Sequence, residues 1–310
     1  MKKGKKNQTS VFQFTEALIA TQKRLGKIRT SETYASTLNS FRQFLNNKDL
    51  SWRKIDSNLI LSYENHLKRK GIVPNSTSFY MRNLRAIYNR AVEDGLTLQQ
   101  FPFKHVYTGI DKTNKRAISL QAIKQIKAYT TSHYFKEQAR DLFLFSFYTR
   151  GMSFIDMAYL KKRDLSKGIL SYRRQKTGQQ LHIKWEKCME QIVHKYDTPD
   201  SEYLLPILPA FTPEEEKRKE YLKAAHRVNR YLKIIGLELN IPISLTMYVA
   251  RHAWASIAKS KHIPLSIISQ GMGHDSEKTT RIYLASLSHI EIDKANKLIL
   301  SYLYLNSATL

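Results

Sequence analysis

Apolar side chains recur at three- and four-residue spacing through the first hundred residues, and this helical pattern restricts the fold more than any other feature of the sequence. Within residues 11–105 they form four groups, each long enough for one amphipathic helix. A Gly- and Pro-containing break at residues 71–74 separates the third group from the fourth. The pattern predicts a small four-helix domain over residues 11–105, preceded by a mobile basic N-terminus at residues 1–10.

A polar, basic stretch follows this domain, and residues 106–116 are predicted to be a linker. In the second domain, residues 117–310, two short strands are predicted on either side of a turn at Thr177-Gly178. One long helix has Thr212 as its predicted N-cap and Gly236 as its predicted end. The predicted helices cover residues 134–148, 153–160, 212–235, 247–259, 264–270 and 290–303. The sequence therefore predicts a mainly α protein with a small antiparallel β-sheet.

Charge is the strongest bulk signal in the composition. The chain has 51 Lys and Arg against 26 Asp and Glu, which leaves a net charge of +25. Because the basic residues run along the whole chain, a polyanionic partner is favoured, and nucleic acid above all. A basic protein without a nucleic-acid role remains an alternative. A membrane-surface protein is a weaker one, because no amphipathic anchor stands out.

Cysteine and apolar content limit the remaining classes of protein. Cys188 is the single cysteine, so an internal disulfide and a cysteine-based zinc site are both excluded. The longest apolar runs are too short to span a bilayer, and no secretion signal follows the basic start. We therefore expect a cytoplasmic protein with no membrane partner.

Three short motifs carry residues suited to phosphodiester chemistry. Arg251 lies at the start of a predicted helix, where its guanidinium fork suits a phosphate oxygen. His274 follows a glycine and precedes Tyr283 by nine residues, while Lys176 lies beside the hairpin turn and is a candidate proton donor. Carboxylates are sparse, and none form a pair at metal-ligand spacing. The sequence therefore predicts no metal and no cofactor, and favours a covalent route through a protein nucleophile.

The spacing of these motifs resembles that of the tyrosine recombinase (phage integrase) family. In that family a His or a substitute precedes an Arg by three residues, and a Tyr follows a Gly-His by nine. The positions that match are Tyr248, Arg251, Gly273-His274 and Tyr283. The stretches TRGMSFIDMA (149–158) and VARHAWA (249–255) are similar to Bacteroides-type integrases and invertases. The resemblance covers nearly the whole chain, and implies a helical SAM-like core-binding domain followed by a mixed α/β catalytic domain.

The resemblance also implies a role for each matching residue. Tyr283 would attack a DNA phosphodiester, giving a 3′-phosphotyrosine and a free 5′-hydroxyl. Arg251 and His274 would stabilise the charged transition state, and Lys176 would act as general acid. Tyr248 holds a position often occupied by His, and a phenol is a poorer base near neutral pH.

The family's first catalytic Arg has no direct counterpart in this chain. Alignment of Gly151-Met152 and Asp156 with the family motif puts Ser153 at its position, where Ser153 is a candidate both for a helix N-cap and for a phosphate contact. Arg150, one turn earlier, is a candidate to replace the missing Arg; otherwise another cation substitutes or the enzyme is slow. Loss of one preorganised phosphate donor costs on the order of 10²–10³ in rate.

The resemblance extends to partners and to cellular location. It implies double-stranded DNA recombination sites, a homotetramer on that DNA, and the bacterial cytoplasm with the nucleoid. Accessory DNA-bending proteins are further candidate partners. The segment at residues 290–303 is expected to dock on a neighbouring protomer. The core-binding domain begins almost at once, which favours inversion or resolution over systems that need an arm-binding domain.

Two other functions remain open from the sequence. The first is a DNA-binding protein that has lost catalysis, for which Ser153 is the best argument. The second is DNA relaxation like that of type IB topoisomerases, which use a similar set of Tyr, Arg, Lys and His.

Overall fold

The computed structural model describes residues 9–111, 117–274, 276–277, 280–281, 296–297 and 300. The chain divides into two compact units, Met1–Thr113 and Asn114–Leu310. Across the described residues the secondary structure is mostly helical, with one three-stranded antiparallel sheet. This confirms the mainly α class that the periodicity predicts. In the same part of the chain, no helix is long and apolar enough to cross a membrane.

The first unit contains the four predicted helices. They are α1 (Val11–Arg24), α2 (Ile28–Phe44), α3 (Ser57–Arg69) and α4 (Pro74–Glu93), with a 3-10 turn at Trp52–Lys54. Asp56 caps α3 by accepting a hydrogen bond from the Leu59 amide at 2.8 Å, and Pro74 occupies the first turn of α4, where its missing N–H costs nothing.

The core of the first unit is rich in aromatic rings. Phe41 of α2 meets Tyr63 of α3 edge-on, with ring centroids 5.0 Å apart, and Tyr88 of α4 is fully buried with them in one cluster. Buried Glu64 accepts a hydrogen bond from the Tyr107 amide at 2.8 Å, so a carboxylate in α3 fixes the segment that follows α4. Such a buried acceptor is stable only while it is hydrogen-bonded.

Among the described residues, the second unit contains seven helices and one short sheet. The helices are α5 (Leu120–Ala128), α6 (Tyr134–Tyr148), α7 (Phe154–Ala158), α8 (Lys187–Lys195), α9 (Glu214–Glu238), α10 (Met247–Ser260) and α11 (Leu265–Gly271). The strands are β1 (Leu165–Ser166), β2 (Ile169–Arg173) and β3 (Gln180–Lys184), in the order β1-β2-β3. Tyr172 pairs with Leu181, which sets the register of the β2–β3 hairpin.

Helix α6 is the central element of the second unit, because it packs on α8, α9 and α10. Residues 141–146 are all buried, as expected of a helix covered on every side. Asp141 within this run accepts hydrogen bonds from Lys195 Nζ at 2.9 Å and from the Tyr196 hydroxyl at 2.8 Å. These contacts pair a buried carboxylate and fasten the end of α8 to α6.

The structure corrects the sequence reading of α9. The helix does not stop at Gly236 but continues to Glu238, and the residue at its N-cap is Pro213 rather than Thr212. A Cβ at Gly236 would lie 3.1 Å from Leu245 Cβ, so this glycine permits close packing and does not end the helix. Helices α5 and α8 and strand β1 had no counterpart in the predictions. The predicted helix at 290–303 lies outside the described residues except at 296–297 and 300.

Candidate active site

Arg251 joins three separate segments of the second unit. It lies in α10 and is buried, with 5% of its surface exposed. Its Nη1 donates to the Gly151 carbonyl oxygen at 2.7 Å, and its Nη2 donates to the Met272 carbonyl oxygen at 2.7 Å. Nη2 also lies 2.9 Å from Nε2 of His274. The guanidinium is thus oriented by two backbone carbonyls.

His274 is held in one tautomer by its two neighbours. A guanidinium only donates hydrogen bonds, so Nε2 must accept from Arg251 and carries no proton. The proton therefore sits on Nδ1, which lies 2.8 Å from the hydroxyl of buried Thr280. Burial lowers the pKa of His274 to about 4, and the charges of Arg251, Arg174 and Lys176 act in the same direction. The imidazole is therefore neutral at pH 7.

Arg150 and Gly151 bring the end of α6 against Arg251. Both residues have left-handed backbone conformations, with φ of 61° and 75°. A Cβ on Gly151 would lie 2.6 Å from the Cα of Arg251, so only glycine allows this approach. Arg150 Nη1 donates to the His182 carbonyl oxygen at 3.4 Å, and its Cδ lies 3.6 Å from the position of a Cβ on Gly271. Arg150 is therefore half-buried beside the segment that carries His274.

Ser153 is the N-cap of α7. Its hydroxyl accepts a hydrogen bond from the Asp156 amide at 3.4 Å and donates to Asp156 Oδ2 at 2.6 Å. Because the hydroxyl bonds the first turn of its own helix, its role in the structure is that of a helix cap. A serine hydroxyl carries no positive charge, so the cations of the site come from other side chains.

The turn between β2 and β3 carries Lys176 and one further arginine, Arg174. Lys176 is exposed in this turn, as the hairpin pattern predicts, whereas Arg174 is buried. Arg174 Nη1 donates to the Gly273 carbonyl oxygen, and the Gln175 amide donates to Asp156 Oδ1 at 2.8 Å. The hairpin is thereby fixed to both the Gly273 turn and α7. Its two cations contribute to the low pKa of His274.

Tyr248 lies in the first turn of α10 and is about half exposed. Its ring meets that of His252 edge-on, with centroids 4.6 Å apart. The predicted nucleophile Tyr283 lies outside the described residues, two positions after Arg281. The structure brings Arg251 and His274 into contact, with Arg150 beside Gly271 and with the Lys176 hairpin joined to Gly273. In the part of the chain that is described, no three His, Cys, Asp or Glu side chains are grouped as metal ligands.

Two sequence comparisons find proteins similar to this chain. The Phage integrase SAM-like domain family matches residues 10–108, which lie in the first unit. Tyrosine recombinase XerA of Pyrococcus furiosus is 28% identical over 198 residues, which cover 61% of this chain and 65% of the relative. The match thus spans less than two thirds of that relative. The chain is therefore similar to tyrosine recombinases, and its first unit matches the phage integrase SAM-like domain.

Solved structures of two integrases share this fold. Lambda integrase, crystallised as a tetramer bound to a Holliday junction, matches with a TM-score of 0.69 at 17% identity, over 90% of this chain and 78% of that one. The Tn1549 transposon integrase, in complex with transposon right end DNA, matches with a TM-score of 0.64 at 12% identity, over 94% and 99%. At such low identity these likenesses describe the fold.

Sequence reasoning did not select Arg174, although the signal was present. Leu170 and Tyr172 are the buried residues of β2, and Arg174 continues their two-residue alternation onto the same face. Its neighbours Arg173 and Lys176 are exposed. A buried arginine on that face is directed towards the interior of the second unit rather than towards solvent.

Proposed function

We propose that this protein is a tyrosine recombinase, a site-specific enzyme that cuts and rejoins DNA through a 3′-phosphotyrosine on Tyr283. The observation that carries the proposal is the contact between Arg251 and His274. This contact provides a buried, oriented guanidinium next to a neutral imidazole, in a unit with the tyrosine recombinase fold. The net charge of +25 supports double-stranded DNA as the partner.

In the first step the hydroxyl oxygen of Tyr283 attacks the phosphorus and the P–O5′ bond breaks. Lys176 gives its proton to the leaving O5′ and becomes neutral. The phenolic proton passes to solvent, because an imidazole with a pKa of about 4 accepts protons poorly at pH 7. Arg251 binds the non-bridging oxygens, and Arg150 and Tyr248 add donors at the edge of the site.

In the second step a 5′-hydroxyl from another strand attacks the phosphotyrosine. A new P–O5′ bond forms, the Tyr283–phosphorus bond breaks, and the phenol and Lys176 recover their protons. One phosphodiester is exchanged for another, so the reaction needs no ATP. The cationic side chains supply the charge stabilisation, so the proposed route uses no metal ion. The substitution Arg251→Ala is expected to slow cleavage on the order of 10²–10³-fold.

The first experiment is recovery of covalent protein–DNA complexes from cells that express the full chain. Wild-type protein is compared with Tyr283→Phe and with Tyr129→Phe, a matched loss of a hydroxyl far from the motif residues in sequence. Adducts are expected from wild type and from Tyr129→Phe but not from Tyr283→Phe. Sequencing the attached DNA gives the recombination site. The proposal fails if Tyr283→Phe still gives adducts, because another residue would then be the nucleophile.

A DNA-binding protein without catalysis is the second candidate, and Ser153 is the observation that favours it. The hydroxyl of Ser153 caps α7 and brings no charge to the position where the family has an arginine. Tight DNA binding with no adduct from any variant would support that reading. Relaxation of one supercoiled plasmid, without strand exchange between two duplexes, would instead point to a topoisomerase-like activity.

Assembly follows from the same proposal. We propose a homotetramer on two DNA sites, with residues 290–303 docking on a neighbouring protomer and with accessory DNA-bending proteins as further partners. The site of action would be the bacterial cytoplasm, at the nucleoid. Deletion of residues 290–303 should abolish assembly while leaving DNA binding by single protomers intact. Unchanged assembly, measured by light scattering on DNA, would refute the docking role.

A further inference from the structure

The tip of the β2–β3 hairpin closes tightly on Gly273. A Cβ on Gly273 would lie 2.8 Å from Leu181 Cδ1, 3.0 Å from Arg174 Cδ and 3.0 Å from Gln179 Oε1. The glycine also has a φ of 64°, which other residues rarely adopt. The residue that precedes His274 is therefore in direct contact with the turn that carries Lys176.

Arg174 is the polar link in this contact. It is 92% buried, and its Nη1 donates to the Gly273 carbonyl oxygen across 99 residues of sequence. Its Nε lies 3.9 Å from Asp156 Oδ2 and has no hydrogen-bond partner among the described residues. The other oxygen of Asp156 accepts from the Gln175 amide. One side chain thus connects the hairpin to the Gly273 turn, and a carboxylate of α7 supports the same hairpin.

Within the described residues Lys176 shows no comparable restraint, and it is exposed in the turn between the strands. A long, flexible side chain delivers a proton efficiently only when its backbone is held at a fixed position relative to the reacting phosphate. Arg174 fixes this position, because its side chain hydrogen-bonds to Gly273. Arg174 lies two residues before Lys176, and Gly273 lies one residue before His274.

We propose that Arg174 is a positioning residue that fastens the Lys176 hairpin to the Gly273–His274 turn, so that the proton donor and the Arg251–His274 pair act on the same phosphate. This inference rests on the proposed function, since it assigns to Lys176 the protonation of O5′. It places Arg174 behind Lys176 rather than in contact with DNA. Loss of Arg174 should therefore resemble loss of Lys176, and should differ from loss of Arg251.

The test is cleavage of DNA in which sulfur replaces the bridging O5′ at the cut site recovered from the adducts. A thiolate leaves without protonation, because a thiol is far more acidic than an alcohol, with a pKa of roughly 8.5 in cysteine. On ordinary DNA, Arg174→Gln and Lys176→Ala should each cleave about 10²-fold more slowly than wild type. On the sulfur substrate both should return to within a few-fold of wild type, whereas Arg251→Ala should stay slow.

Arg173→Gln is the matched control. It removes the same charge from the adjacent, exposed residue, whose Nη1 donates to the Gly178 carbonyl oxygen in the same turn, and it should cleave both substrates like wild type. Equal slowing of Arg174→Gln on both substrates would overturn the proposal. Rescue of Arg174→Gln by a methylphosphonate, which lacks the phosphate charge, would also overturn it, because Arg174 would then bind the phosphate directly.

Hydrogen exchange of the full chain gives a readout that needs no activity. Exchange at the Gln175 amide should quicken in Arg174→Gln and stay unchanged in Arg173→Gln, because Arg174 donates to the Gly273 carbonyl oxygen whereas Arg173 donates to Gly178 within its own turn. If wild type forms no adduct, the proposed function fails, and this measurement still decides the link. Unchanged exchange in Arg174→Gln would refute it.

Discussion

Replacing Gly151 by alanine is expected to damage the fold and the active site together. The new Cβ would lie 2.6 Å from the Cα and 2.8 Å from the Cγ of Arg251. Contacts with a backbone atom cannot be relieved by rotating a side chain, so either α10 or the turn after α6 must shift. Gly151 also has a φ of 75° and its carbonyl oxygen accepts from Arg251, so a shift moves the guanidinium itself.

The magnitude follows from two terms. An alanine in the left-handed region costs about 1–2 kcal/mol of unfolding free energy, and overpacking in a buried region costs about 1–3 kcal/mol more. Gly168→Ala is the matched control, because Gly168 has a φ of 72° but nothing within 4 Å of its Cβ position. The control variant therefore has only the cost of placing alanine in the left-handed region. Gly151→Ala should therefore be less stable than the control by about 2 kcal/mol, or roughly 6 °C in the melting temperature of a unit this size.

The assay combines unfolding with cleavage. Urea unfolding is followed by the fluorescence of Trp185 and Trp254 in a Trp52→Phe background, so that the signal comes from the second unit alone. Cleavage of the recovered site should fall about 10²-fold in Gly151→Ala and stay near wild type in Gly168→Ala. Equal stability and equal cleavage in the two variants would refute the reasoning, because the clash with Arg251 would then have no consequence.

Three further perturbations probe other contacts. The folded-state pKa of His274, about 4, is below its unfolded value, so the neutral imidazole contributes stability that is full above pH 6.5 and is lost as the pH falls to 4. This is on the order of 2 kcal/mol after allowance for partial exposure, and urea unfolding should lose this pH dependence in His274→Gln. Asp156→Asn should lower stability by about 1.5–3 kcal/mol, because it weakens buried bonds to Ser153 and to the hairpin, and unchanged urea midpoints would contradict this. Glu64→Gln should speed hydrogen exchange at the Tyr107 amide, whereas unchanged exchange would mean that the carboxylate charge does not hold that segment.

Local signals were enough to predict most of the secondary structure. Helix α6 begins and ends at the predicted residues 134 and 148, because its apolar periodicity and the Thr149-Arg150-Gly151 turn are both encoded within a short stretch. The β2–β3 hairpin was also predicted, since alternating residues and a Gly-containing turn are adjacent in sequence. The predicted end of α9 at Gly236 was wrong because this glycine reflects a distant contact instead of a local signal. It makes room for Leu245, which belongs to another segment.

The sequence by itself determined the helical first unit, the basic charge, and the spacing of Arg251, His274 and Tyr283, because each depends on composition or on residues close along the chain. Only the tertiary structure decided that Arg251 donates to a carbonyl 100 residues away, which tautomer His274 adopts, and that Arg174 contacts Gly273. Contacts of that kind depend on how separate elements pack, and a distant pair leaves no period or spacing in the sequence from which the contact can be inferred.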